Sequence, residues 1–447
     1  MPLTRRTLLR GLGGGVLGTA AVSSCTNTGR GRRGRRRKTT PPPTASDAPD
    51  PTKPLKIGLI GTSIGLEAQY DQAITLAVGE AVTDVNASGT GVFGHDVELL
   101  DAVTVEDPST KLSDQIEELA KKGAHAVILN VPDELLVPAI STIVSTGLLA
   151  ISVTSRAMDV RDAEVNSAGL LFRLAPSDLA LGLLYVKAAV EDVSSGERAG
   201  VPGRVAYIAT DTMQGTSLRE VMASKLRGKG GSIAVEHLYR HGKPGNLKKL
   251  ATKVVKAKPA LVVIDGGPES GAIAAAIHHA TLDKDGRPHL DLPIRLGPYG
   301  SADYGKEVGP KESLEKAQGM HPGGPLSTHH VNMMLNVSTE MTDFSFTQQA
   351  YDAVDMIVLA ALAAHSLDGT RMAQQMAAVI TGGTECEEFK DCQQSLTDGS
   401  TIQYAPRMGK IEFAPDGDLR TGQLRTFDYT KTNHPGEPSE ESFETPS

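Results

Sequence analysis

No run of about 20 consecutive apolar residues occurs in the sequence, and a helix needs about that many to cross a bilayer, so no spanning helix is expected. Positive charge is scarce beyond the N-terminus. Residues 1–53 hold 11 of the 45 Lys/Arg and 2 of the 53 Asp/Glu, which leaves the remainder with 34 basic against 51 acidic residues, or −17. A nucleic-acid partner requires a positive footprint to meet phosphates, so a body this acidic argues against that class. No complete Gly-x-x-x-x-Gly-Lys-Ser/Thr is present, and Gly58, Gly61 and Gly65 have the wrong spacing for Gly-x-Gly-x-x-Gly. No nucleotide or other cofactor is therefore expected. Tryptophan is absent, but 39% hydrophobic and 22% charged residues are otherwise the composition of a soluble globular protein. At 447 residues the chain exceeds one ordinary core, and two lobes or domains are expected.

The N-terminus reads as a delivery segment. Arg5-Arg6 begins a positive stretch, and Gly11 to Val22 is short, glycine-rich and mildly apolar. That is a targeting pattern, here a twin-arginine signal peptide over residues 1–24, and it stands apart from the fold. Ala21-Val22-Ser23-Ser24-Cys25 closely resembles the lipobox of bacterial lipoproteins. The resemblance implies diacylation of Cys25, which becomes the mature N-terminus. Seven basic residues between Arg30 and Lys38, then Pro41-Pro42-Pro43 and a Ser/Asp/Pro tract, make residues 25–54 a tether too polar to form a core. Behind a lipidated cysteine, such a basic run supplements the anchor by attraction to anionic headgroups. The protein is thus expected outside the cytoplasm, on the outer face of the cell membrane. In an exported chain, Cys386 and Cys392, with five residues between them, read as a local disulfide. The nearest histidines, His365 and His434, are remote in sequence, so no metal site is expected.

The body is organised around Leu55 to Asn86. Leu55–Ile60 is an apolar strand, stopped by Gly61-Thr62-Ser63. Ile74, Ala77, Val78, Ala81, Val82 and Val85 then follow helical spacing. The plan recurs: strands at 97–103, 126–129 and 148–153 alternate with helices at 109–122 and 135–145. A second series has strands at 205–209, 233–238, 260–265 and 293–296, with helices at 178–190, 217–229, 247–256 and 272–279. Two runs of alternating strand and helix predict an α/β protein with two parallel sheets covered by helices. Gln348–Ala364 is a buried helix, and Lys410–Phe413 with Leu424–Tyr429 a closing hairpin.

From Leu55 to Tyr429 the chain resembles the type I periplasmic binding proteins, in the leucine/isoleucine/valine-binding branch. The residues that carry the likeness include Leu55–Gly61, Glu80–Gly89, Thr146–Ser152, Ala350–Val354 and Met408–Asp418. The resemblance implies a two-lobe fold, each lobe a parallel sheet flanked by helices, joined by three hinge crossings near Arg173–Pro176, Ala317–Pro325 and Gln403–Met408. It places 54–174 with 320–405 in lobe one, 175–319 with 406–430 in lobe two, and leaves 431–447 as a flexible tail. It further implies a monomer that captures a small polar ligand, amino-acid-like or amide-like, for an ABC importer whose permease and ATPase are separate chains. A ligand-sensing receptor without transport is the alternative use of such a fold.

Ligands of open α/β sheets bind beyond the carboxyl ends of the strands. Strand ends, together with the loops that the resemblance implies border the cleft, make the candidate ligand-binding residues Ser63, Asp133, Glu134, Thr154, Ser155 and Arg156 from the first series and Met213, Gln214, Gly267 and Tyr299 from the second. Arg156 is expected to grip a ligand carboxylate in bidentate fashion, and Tyr299 stands where the family carries an acid for the α-ammonium. Gly61-Thr62-Ser63-Ile64-Gly65 also matches the nucleophile elbow of serine esterases. Its place after the first strand and the lack of evident acid and histidine partners weigh against catalysis, so no catalytic residue and no enzyme are expected.

Overall fold

The computed structural model describes residues 51–88, 91–162, 166–193, 195–309 and 313–446. Residues 1–50, where the sequence predicts a signal peptide, a lipidated Cys25 and the basic part of a tether, lie outside the described residues. The first sheet contains β1 (Lys56–Thr62), β2 (Glu98–Leu99), β3 (Val103–Val105), β4 (Ala126–Leu129), β5 (Leu149–Ser152) and β6 (Leu171–Arg173). Its order is β2-β1-β4-β5-β6, with β3 continuing beside the far end of β1, and every pairing is parallel. The single strand expected at 97–103 is split between β2 and β3. Asp101 and Ala102 at the break are exposed, as suits an edge that packs on nothing beyond it.

Helices α1 (Asp71–Ala87), α2 (Leu112–Lys121) and α3 (Asp133–Thr146) cover this sheet. The periodic residues of α1, from Ile74 to Val85, are its buried face. The chain then enters α4 (Asp178–Val190) and a second sheet formed by β7 (Val201–Thr210), β8 (Ser232–Tyr239), β9 (Pro259–Asp265), β10 (Ile294–Leu296) and β11 (Ala317–Pro322), with α5 (Met213–Gly228), α6 (Leu247–Ala257) and α7 (Ser270–Ala280) between them. After β11 it returns to pack α8 (Thr328–Val337) and α9 (Thr347–Ala364) against α1, adds a small sheet of β12 (Thr384–Cys386) and β13 (Ile402–Tyr404), and ends in β14 (Glu412–Phe413), β15 (Leu419–Asp428) and β16 (Ser439–Glu444). The second sheet runs β14-β15-β11-β10-β9-β7-β8, parallel from β11 to β8 and antiparallel at β15. Two lobes joined by three passages follow from this connectivity.

Four further features depart from the sequence reading. β11 is a full strand of the second sheet, so residues 320–322 belong to lobe two rather than lobe one. Residues 439–444, expected in a flexible tail, pair antiparallel with β15, and Phe443 is buried against it. Helix α5 begins at Met213 because Thr212 caps it, its hydroxyl accepting from Gly215 N. Helix α3 likewise begins at Asp133, so both carboxyls of the expected loop lie in its first turn, where the helix N-terminus favours negative charge. Cys386 and Cys392 are disulfide-bonded, tying β12 to the helix Phe389–Thr397.

Candidate functional site

The carboxyl ends of β1, β4 and β5 face those of β7, β9 and β10, so the loops at the ends of both sheets meet along one seam. At its centre is Arg156, fully buried, on the loop after β5. Its side chain reaches only across the seam. Nη2 donates to Asp265 Oδ1 and Oδ2 at 3.2 and 3.0 Å, and Nε and Nη2 both donate to Gln214 Oε1 at 3.2 Å. Nη1 lies 3.4 Å from Asp178 Oδ1. Gly297 makes room for this pairing, since a Cβ there would stand 2.1 Å from Asp265 Oδ1. Burial alone would depress the Arg156 guanidinium, but the Asp265 and Asp178 carboxylates outweigh it and hold its pKa well above the usual value. Burial raises Asp178 to about 7 against the pull of Arg156.

A second layer surrounds this pair. Gln214 Nε2 donates to Glu67 Oε1 at 3.2 Å, and the Tyr299 hydroxyl donates to Thr154 O at 3.0 Å. Arg156 also lies over the Tyr299 ring, 5.2 Å from its centroid. Tyr70, Tyr299 and Phe346 pack ring on ring at 5.0–5.9 Å, and Gln69 Nε2 donates to Tyr299 O at 3.2 Å. Asp133 Oδ2 accepts from the backbone N–H groups of Arg156 and Ala157, which fixes the loop that presents Arg156. The hydroxyls of Thr154 and Ser155 are buried and take no hydrogen bond among the described residues.

Beside this network the seam opens into a pocket of about 340 Å³ lined from both lobes. Ile64, Leu66, Pro108, Pro132 and Leu135 form its apolar wall, and Glu67, Glu134, Thr212 and Gln214 supply its polar groups. Size and mixed lining suit a small organic ligand. A larger hollow of about 480 Å³ lies between α1, α8 and the helix Phe389–Thr397. It belongs to lobe one alone, so movement of the lobes does not cover it.

The structure brings Asp133, Thr154, Ser155, Arg156, Gln214 and Tyr299 together, but in a role different from the one expected. Arg156 is wholly buried with Nε and Nη2 engaged by Gln214 and Asp265 of lobe two, while Nη1 makes no hydrogen bond among the described residues, so it does not present a two-pronged grip to a ligand acid. Glu134 is exposed at the rim and accepts from Met213 N at 2.6 Å, closing the seam at the first turn of α5. Gly267 is buried with its Cα against lobe one, where a Cβ would lie 3.0 Å from Leu66 Cδ2. Ser63 is exposed, and no hydrogen bond joins its hydroxyl to a histidine or carboxylate among the described residues. Gly300 to Lys306 has the glycine and lysine spacing of a phosphate loop but continues into Glu307, and its first glycine closes a 3-10 turn instead of leading a helix.

Sequence reasoning missed Glu67, Asp265 and Asp178. Asp265 is the last residue of β9, a strand-end position that the same rule could have flagged. Glu67 lies in a short 3-10 turn before α1, where nothing in the sequence marks it. Among the described residues no cluster of His, Cys, Asp and Glu has metal-holding geometry.

No protein-family model matches the sequence, and no curated protein matches it. Solved structures do. The branched-chain amino acid transporter substrate-binding protein LivJ from Streptococcus pneumoniae, solved with isoleucine, is 16% identical with a TM-score of 0.63, covering 87% of this chain and 100% of its own. The leucine-binding protein LivK from Thermotoga maritima is 16% identical with a TM-score of 0.62, covering 88% of this chain and 99% of its own. A solute-binding protein of an ABC transporter from R. palustris, solved with 4-hydroxybenzoate, is 12% identical with a TM-score of 0.64, covering 88% and 97%. The neighbours are type I periplasmic binding proteins, and at these identities the likeness is one of fold.

Proposed function

We propose that this chain is an extracytoplasmic solute-binding protein, not an enzyme, that closes its two lobes on a small ligand and delivers it to an ABC importer made of separate chains. Cys25 is the lipid anchor in this reading, and the basic tether holds the body near the membrane surface. The ligand is amino-acid-like or amide-like in size, small enough for the seam pocket. The observation that carries the reading is that pocket: it takes its walls from lobe one and lobe two together, so an occupant touches both. A ligand can drive closure only by binding the closed arrangement better than the open one, which requires contacts on both sides.

The test is a thermal-shift screen of amino acids, amides and amines on the purified chain, followed by small-angle scattering with each hit. The expected result is a ligand that raises the melting temperature and leaves or makes the particle compact. A ligand that binds equally well when Leu66 and Gln214, on opposite walls, are replaced by Ala overturns the placement of the site. No hit in any class overturns the solute-binding reading itself.

A further inference from the structure

We propose that the seam pocket selects an apolar organic cation, a small alkyl or cycloalkyl amine, and that the free oxygen of Glu67 is the group that receives its ammonium. The inference rests on the solute-binding reading and names the ligand class of the same site.

The argument begins with the charges on the pocket wall. The lining carries two carboxyl groups, Glu67 and Glu134, and no cation. Arg156, the cation that reaches Gln214 behind the wall, is engaged by Asp265 and flanked by Asp178. A ligand carboxylate placed here would find no cation among the lining residues to compensate it, and at the rim it would meet Glu134. An ammonium meets the opposite situation. LivJ with isoleucine and the R. palustris protein with 4-hydroxybenzoate carry ligands with an acid group, and the cation that would receive such a group is here already taken.

Glu67 has the geometry of a receptor. It is only 4% exposed, yet it lines the pocket. Oε1 accepts from Gln214 Nε2 at 3.2 Å, with the Tyr299 hydroxyl at 3.5 Å, and neither of these side chains engages Oε2. Oε2 lies on the pocket side, against the turn at Gly65, where a Cβ would meet it at 2.6 Å and Pro132 Cγ at 2.9 Å. Gly65 has φ +76°, a conformation that glycine adopts freely and that leaves this approach open. Ile64, Leu66, Pro108, Pro132 and Leu135 then surround the hydrocarbon part of the ligand.

Protonation fits the same picture. Burial pushes the Glu67 carboxyl up to about 8 against a hydrogen bond from its own backbone N–H, with Asp133 and Glu134 on α3 adding to the rise and Arg156 opposing it. The other groups that face it are Gln214, which is neutral, and Tyr299, whose hydroxyl burial holds well above its usual range. The empty pocket therefore holds Glu67 mostly protonated near neutral pH. An arriving ammonium displaces that proton to the buffer and pairs with the carboxylate.

The experiment is isothermal titration calorimetry of the full purified chain with three probes: cyclohexylamine, cyclohexanecarboxylate and leucine. Cyclohexylamine is expected to bind, with close to one proton released per ligand when buffers of different ionisation enthalpy are compared at pH 6.5. Its affinity should rise roughly tenfold from pH 6 to pH 7, because the ionised fraction of a group titrating near 8 rises by that factor. Glu67→Gln should weaken it tenfold or more and abolish both the proton release and the pH dependence. If that variant fails to fold, Glu134→Gln at the exposed rim, expected to weaken the amine severalfold, serves with the proton count of the wild type. Tighter binding of cyclohexanecarboxylate or leucine than of the amine overturns the cation assignment while leaving the solute-binding reading intact. Amine binding with no proton release overturns the role of Glu67. Silence from all three probes overturns this inference, and only a failed wider screen would take the solute-binding reading with it.

Discussion

Replacing Arg156 with Met removes the one guanidinium that joins lobe one to Gln214, Asp178 and Asp265 of lobe two. Asp265 is then left buried without its partner, and removal of one member of a buried pair costs about 3–5 kcal/mol. That cost applies to the closed arrangement, because in an opened protein water can reach the carboxylate. A penalty of about 3 kcal/mol changes the ratio of open to closed forms by more than roughly a hundredfold. The Arg156→Met protein should therefore show a larger radius of gyration than wild type by small-angle scattering, with a smaller loss of melting temperature than the full penalty would give. Adding Asp265→Leu removes the stranded charge and should restore part of the compactness, a coupling that a double-mutant cycle measures. A superimposable scattering curve for Arg156→Met, whatever its melting temperature, refutes the view that this network holds the lobes together.

Stability should fall as pH rises from about 5 to about 8.5. The folded pKa values of Glu67 (about 8), Asp178 (about 7) and Asp355 (about 8) are raised by burial, so their contribution is complete below the carboxyl pKa of the unfolded chain and is lost through the folded values. Glu67→Gln should flatten that slope and raise the melting temperature at pH 8, as calorimetry at several pH values will read; an unchanged slope refutes the assignment. Intact-mass measurement with alkylation should find thiols at Cys386 and Cys392 only after reduction, and Cys392→Ser should cost about 2–3 kcal/mol in denaturant unfolding. Cys25→Ala should leave the membrane fraction in cell fractionation, and a variant that stays wholly there shows that lipidation is not the anchor.

The fold was legible because its elements obey strong local rules. The buried face of α1 is the helical series from Ile74 to Val85, and β4 and β9 are the unbroken apolar runs that central parallel strands require. Asp133, Thr154, Arg156, Gln214 and Tyr299, named from strand ends together with the resemblance, lie in one place in the structure. The sequence could not assign their partners. Whether Arg156 waits for a ligand or is already paired depends on Asp178 and Asp265, 22 and 109 positions away in the chain, and only the packing of lobe on lobe brings them together. β16 was invisible for another reason: Ser439–Glu444 is acidic and polar, and its strand character comes from pairing with β15.

That last strand has a practical consequence for anyone who shortens or fuses the protein. Residues Thr421 to Thr426 of β15 are hydrogen-bonded on one flank by β16, so cutting the chain after Tyr429 would unmask a row of backbone donors and acceptors on that flank. Arg420 would lose Glu444, and Phe443 would no longer cover Gly422. A bare strand flank of that length is a template for a strand from another molecule. The shortened protein would then be prone to polymerise through borrowed strands, and a reporter attached downstream of β16 is the safer design.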